Sequence, residues 1–162
     1  MKTLASILLL TIFAFVSYAQ NNGTIAEVKN SEVSVKLHKL LDFTNPGSKP
    51  KDGNKFVVAE ITLENLTDKT VAMGSEYTMS ITIKDANGNE YRSGLKGAGI
   101  VSSYITKNPK YNQDQAANKL AYEDKFPAKT KAKSLLCGFE IPKDAKIISF
   151  GVKKKNLWST IK

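Results

Sequence analysis

The sequence predicts an all-β sandwich built as one domain. Three observations carry that expectation. Apolar and polar residues alternate with a period of two along several short stretches. Clusters of Asn, Asp, Gly and Pro separate those stretches. Few segments display the 3.6-residue spacing of an amphipathic helix. About seven antiparallel strands, interrupted by one long connecting loop or short helix, are expected from this pattern.

Val33, Val35 and Leu37 alternate with Ser34, Lys36 and His38, so residues 33–38 read as a half-buried strand. Residues 39–51, with Asn45, Pro46, Gly47 and Pro50, read as the loop that ends it. The strongest strand is 56–64. It puts Val57, Ala59, Ile61 and Leu63 on one face, and Phe56, Val58, Glu60, Thr62 and Glu64 on the other. Residues 65–69 make a turn, and 71–73 read as a short edge-like piece. Met79, Ile81 and Ile83 then alternate with Ser80, Thr82 and Lys84. Asn87-Gly88 between this run and Glu90-Tyr91-Arg92 is a strong hairpin signal, because both residues tolerate positive φ.

Residues 94–122 are different. Gly94, Gly97 and Gly99 lead into a polar run with little periodicity, read as a long connection with room for a short helix over 113–120. Long connections in compact domains often carry function, which makes this segment the first candidate for a binding surface. Strand patterns return at 133–141 and 147–152. In the second, Ile148, Phe150 and Val152 alternate with Ile147, Ser149 and Gly151. The tail is basic through Lys153, Lys154 and Lys155, then aromatic at Trp158, which reads as a lid on the end of the sandwich.

Residues 1–19 have the order of a secretory signal peptide: Lys2, an uncharged apolar run over 4–16, then small residues before a cut between Ala19 and Gln20. The apolar run is too short for the ~30 Å hydrocarbon core of a bilayer. The expectation is export to the periplasm or beyond, with residues 20–162 as the mature domain and no stable membrane span after cleavage. No Cys stands near the exit for lipid attachment.

The chain carries 24 Lys and Arg against 15 Asp and Glu, a formal charge of +9. Removal of a leader that contains Lys2 and no acid lowers this by one. A positive surface favours anionic partners, such as acidic glycan, cell-wall polymer or anionic lipid, and also keeps a domain soluble. Cys137 is the one cysteine, which excludes an internal disulfide and a Cys-rich zinc site. It alternates with Leu135, Phe139 and Ile141, so it reads as a small buried hydrophobe.

No motif asks for a metal or cofactor. His38, the one histidine, falls on the polar side of its strand, away from Cys137. Residues 85–90 place oxygen-bearing side chains like the start of a calcium loop, but Glu90 and Lys96 stand where Gly and Glu are required, so a hairpin turn is expected. Asn22-Gly23-Thr24 and Asn65-Leu66-Thr67 fit the N-glycosylation pattern. No pair of acids is singled out for glycoside hydrolysis. Lys129, Lys131 and Lys133 alternate with Ala128, Thr130 and Ala132, so an extended segment would project them together as an anion-binding stripe, joined by Lys153, Lys154 and Lys155 into one patch. A charged edge strand that resists edge-to-edge pairing is the competing reading. Aromatics do not interleave with these lysines, so nucleic acid is not the expected partner.

The run from Lys55 through Lys69, the Asp85-Ala86-Asn87-Gly88-Asn89-Glu90-Tyr91 hairpin and the late strand from Phe139 to Lys146 together resemble a known family. They look like the extracytoplasmic domains collected as domain of unknown function 4352, similar to telokin-like secreted antigens of mycobacteria. The resemblance implies an immunoglobulin-like antiparallel sandwich and brings no catalytic motif. Pro127-Ala128-Lys129-Thr130 stands where that family has a Pro-Gly turn, and residues 94–122 are longer than its usual connection. The expected function is a non-enzymatic binding or interaction module of a bacterial cell envelope. The alternatives are an envelope-directed hydrolase acting through carboxylates and a basic domain attaching to anionic surface polymers.

Overall fold

The computed structural model describes residues 23–44, 49–109 and 115–162. The expected signal segment 1–19, with its cut between Ala19 and Gln20, lies outside them, as do residues 45–48 of the expected loop. In chain order the described elements are β1 (Ala26–Lys29), β2 (Val33–Phe43), β3 (Asn54–Asn65), α1 (Met73–Glu76), β4 (Ile81–Asp85), β5 (Glu90–Arg92), α2 (Gly94–Lys107), α3 (Gln115–Leu120), β6 (Lys131–Pro142), β7 (Ile147–Val152) and β8 (Leu157–Thr160). Two four-stranded antiparallel sheets result, ordered β1-β2-β3-β6 and β5-β4-β7-β8. Strands β2-β3-β6 facing β5-β4-β7-β8 repeat the A-B-E against C′-C-F-G arrangement of immunoglobulin-like sandwiches. β1 is added outside β2, and α2 and α3 occupy the connection where strand D would run.

The period-two pattern builds the core. Val35, Leu37, Ile61, Leu63, Leu135, Cys137 and Phe139 of the first sheet meet Ile81, Ile83, Phe150 and Val152 of the second, all buried. The Asn87-Gly88 turn closes β4 onto β5 as expected, with Gly88 at φ +84°. Asp85 accepts N–H groups from Asn87 and Asn89, the Asn89 amide and the Tyr91 hydroxyl. Its oxygens are thus committed to the turn, which removes the calcium-loop likeness.

Several expectations are corrected. β2 does not stop at residue 38. His38 is a bulge between Leu37 and Lys39, after which the alternation changes phase and the strand continues to Phe43. Residues 71–73 hold an isolated bridge between Val71 and Phe126 and the start of α1 rather than a strand. Ile148 bulges out of β7 and is 39% exposed, while Ile147 packs on the core. Trp158 is no lid. It lies in β8, opposite Gly151, with the Lys84 ammonium 3.5 Å from its ring centroid. The segment 94–122 folds as α2 and α3, the second of which agrees with the short helix expected there.

α2 creates a second, smaller core on the outer face of the first sheet. Ile100, with Val101, Tyr104 and Ile105 beside it, covers Phe43, Phe56, Val58 and Leu136. This explains why 56–64 carries apolar residues on both faces at one end. The helix lies close on β6: a Cβ on Gly97 would overlap the Gly138 carbonyl, and one on Gly138 would overlap the Gly97 carbonyl and Ile100.

Candidate functional site

The outer face of the first sheet is divided. α2 covers the end nearest Phe56, and the other end is open and polar. Its floor is β3, from Glu60 to Thr62, with β2 and β6 as flanks. Both flanks bulge at this level. His38 is the extra residue of β2, and Lys133 and Ser134 together oppose the single residue Thr62 from β6. Ser134 takes φ +54°, a conformation that L-residues adopt at a cost of order 1–3 kcal/mol. Bulges re-aim side chains and recur beside functional sites. Here two of them turn polar side chains into one groove of about 430 Å³.

The groove has a hydroxyl-rich floor and a basic rim. His38 shares one hydrogen bond with Thr62 (Nε2 to Oγ1, 2.9 Å) and a longer one with Thr24 (Nδ1 to Oγ1, 3.4 Å). The Ser134 hydroxyl donates to Glu60 Oε1 at 3.2 Å. Glu60 is held low in the groove, its side chain 17% exposed, with Lys39 3.6 Å away. Around it stand Lys36, Lys39, Lys131 and Lys133. Lys131 pairs with Glu64 at 3.1 Å and Lys36 more loosely with Glu27 at 3.9 Å, whereas Lys133 makes no ion pair among the described residues. Among the described residues no Phe, Tyr or Trp ring and no large apolar side chain lines the groove.

In chemical terms the groove offers ammonium groups for an anion and hydroxyl, imidazole and carboxylate groups for neutral donors and acceptors. Thr62 and His38 have the spacing of a nucleophile and its base, but a third group that orients the imidazole is needed for that chemistry. The neighbour on the other ring nitrogen is the Thr24 hydroxyl, and no carboxylate contacts His38 among the described residues.

The sequence-predicted lysine stripe is only partly assembled. Lys131 and Lys133 reach the groove, but Lys129 does not. It sits at φ +52° in the turn before β6, where its ammonium binds the Leu66 carbonyl and Asp68. Lys153, Lys154 and Lys155 follow β7 in the other sheet and pair with Glu90 and Glu76. The ammonium groups of Lys154 and Lys155 hold the Glu76 carboxyl down at about 2. The expected single patch is therefore two separate groups of lysines. Lys36, Lys39, Glu60, Thr62 and Ser134 are not predicted as site residues, because the phase breaks at His38 and at Lys133-Ser134 do not by themselves say that the two bulges stand across β3 from each other.

The other predicted residues have structural places. Cys137 is buried on the core face, and burial pushes its thiol up to about 12. Asn65 is 1% exposed, and its amide donates to the carbonyls of Lys69 and Pro127, so the folded chain withholds this glycosylation acceptor. A second cleft of about 280 Å³ opens at the start of α2 between β5 and β6. Both of its carboxylates are paired, Glu140 with Lys96 in the cleft and Glu90 with Lys84 at 3.1 Å and Lys153 at 2.5 Å outside it, and Arg92 is held by the Met79 carbonyl.

No family model matches this chain, and no curated protein matches it in sequence. Among solved structures, a conserved hypothetical protein from Bacillus anthracis is similar to it, with a TM-score of 0.58 and 17% identity over 84% of this chain and 92% of that one. At that identity the likeness extends to the fold. The chain is an all-β, two-sheet antiparallel sandwich that shares its architecture with this protein.

Proposed function

We propose that this protein is an exported, non-enzymatic binding module of a bacterial cell envelope, and that it holds an anionic partner in the groove between the β2 and β6 bulges. The observation that carries the reading is the convergence of Lys36, Lys39, Lys131 and Lys133 on one polar depression built by two bulges. The leader-like residues 1–19 support the location, and the resemblance to extracytoplasmic immunoglobulin-like domains agrees with it. A rigid sheet is well suited to binding, because side chains fixed on strands lose little freedom when a ligand arrives. The hydrolase alternative has less behind it, since Glu60 already faces Lys39 and Ser134.

The test is retention on washed cell envelopes. The protein should bind at low ionic strength and elute as salt rises, because the attraction between exposed charges is screened over about 8 Å at physiological ionic strength. The double variant Lys36→Glu, Lys133→Glu should lose most of that retention while keeping its circular dichroism spectrum. Retention that ignores both salt and the double variant would refute the groove as the working surface. Export is tested separately: the exported protein should begin at Gln20, and an intact Met1 in the cell extract alone would refute it.

A further inference from the structure

The groove is more selective than its lysines alone would make it. Resting on the binding reading above, we propose that its ligand is an acidic polysaccharide, whose anionic groups meet the rim lysines while its hydroxyls meet Glu60, Ser134, Thr62 and His38. The decisive feature is the carboxylate on the floor. Glu60 stands among four lysines in the groove lining, and its side chain is mostly buried. A polymer with a charge on every unit and no hydroxyl, such as polyphosphate, gains from the lysines but is repelled by Glu60. A sugar hydroxyl is instead a donor that a carboxylate accepts strongly. The threonine and serine hydroxyls add groups that both donate and accept, as a polyol requires.

The remaining anionic polymers fit less well. Single-stranded nucleic acid without sequence preference is held by successive aromatic platforms under its bases, and among the described residues this groove has no Phe, Tyr or Trp. A membrane surface is bound by basic residues together with apolar anchors that enter the headgroup layer, and the described lining residues supply no such anchor. The lack of a Phe, Tyr or Trp among the described lining residues also disfavours a neutral glycan as the main ligand. Without an aromatic face for the sugar ring to cover, hydrogen bonds in water contribute little net affinity, so charge on the sugar has to supply the rest.

The test is calorimetric titration of the protein with polygalacturonate and hyaluronate, beside dextran, polyphosphate, phosphatidylglycerol vesicles and single-stranded DNA. Binding is expected to at least one of the two acidic polysaccharides and not to dextran. The variant Glu60→Gln keeps the shape but weakens the charge-assisted bond to a sugar hydroxyl. It should lose about tenfold on the polysaccharide and gain on polyphosphate. The variant Lys36→Glu, Lys133→Glu should lose binding to both, with its melting temperature confirming that it folds. If polyphosphate, vesicles or DNA bind more tightly than either polysaccharide, or if Glu60→Gln changes nothing, the ligand class is wrong while the groove reading survives. If no anionic probe binds, or if the lysine double variant binds as well as the parent, both readings fall.

Discussion

Glu140 sits on the outer face of β6, and its oxygens gather two separate pieces of chain, the turn from Lys51 to Asn54 and the start of α2. Oε1 accepts the Lys51 N–H and the Asn54 amide, each at 2.9 Å, and Oε2 pairs with Lys96 of α2. Burial acts to raise its pKa, but Lys96, Asn54 and the Lys51 N–H overcome this and lower it from 4.5 to about 2. The sign follows from linkage. A carboxylate with a folded-state pKa below its unfolded value stabilises the fold fully above the unfolded value, and that contribution is lost as pH falls through the folded one. Stability should therefore decline between about pH 4.5 and pH 2. Glu140→Gln should cost about 1–3 kcal/mol at neutral pH, the usual loss for hydrogen bonds to a charged group. It should also flatten the acid limb of a urea-midpoint-against-pH curve. An acid limb as steep as the parent's would mean that other carboxylates govern it, with Glu76, also held at about 2 by Lys154 and Lys155, the first to change next.

At the scale of elements, legibility in the sequence followed regularity. β3, the β4-β5 hairpin and the parts of β6 and β7 beyond their bulges were readable because their alternation there is regular and ends at clear turn residues. β1 carries the same alternation, Ala26 and Val28 buried against Glu27 and Lys29 exposed, but over four residues, too few to stand out. α2 was hidden by its own composition. Gly94, Gly97 and Gly99 each weaken a helix by roughly 1 kcal/mol relative to Ala, and the following serines and threonine add little. The helical spacing was nonetheless present in Ile100, Val101, Tyr104 and Ile105, and its partner surface was announced by Phe56 and Val58 on the second face of β3. The groove was not legible: the alternation breaks phase after Leu37 and after Ala132, but that the two breaks meet across β3 depends on register, which neither strand records alone. The glycines are explained by packing. Gly138→Ala should push α2 off β6 and cost about 1–3 kcal/mol, the range for overfilling a tight contact. It should also raise binding of a hydrophobic dye as Phe56 and Val58 are uncovered, with little change in strand content by circular dichroism. A variant within about 0.5 kcal/mol of the parent, and equally inert to the dye, would contradict the close crossing at Gly97 and Gly138.

At the scale of the whole molecule, the two sheets are joined with no disulfide, so their union has to come from the shared apolar core and a few stitches. On one side β1 contacts β7 and β8, and the Lys162 N–H reaches the Ile25 carbonyl at 3.0 Å. On the other, α2 and α3 lie along β6, and the Thr78 hydroxyl, just before β4, donates to the Ala121 carbonyl at 2.5 Å. The chain also visits the sheets alternately, β3 to β4, β5 to β6, β6 to β7, so neither sheet is a continuous segment able to fold by itself. A sandwich of this size and connectivity should unfold as one cooperative unit. The sequence supplies one natural probe for each half. Cys137 lies in β6 of the first sheet, buried on the core face, where removal of α2 from the opposite face would leave it covered. Trp158 lies in β8 of the second, over Gly151. Tryptophan fluorescence and the labelling rate of the thiol, followed through the same urea series, should report one midpoint and one slope. The thiol should be almost inert in the native protein, since both burial and its raised pKa, about 12, suppress the thiolate. A thiol that reacts in low urea at a rate independent of denaturant would reveal a local opening at β6 that leaves β8 in place. In that case the first sheet, which carries the groove, would have a motion of its own.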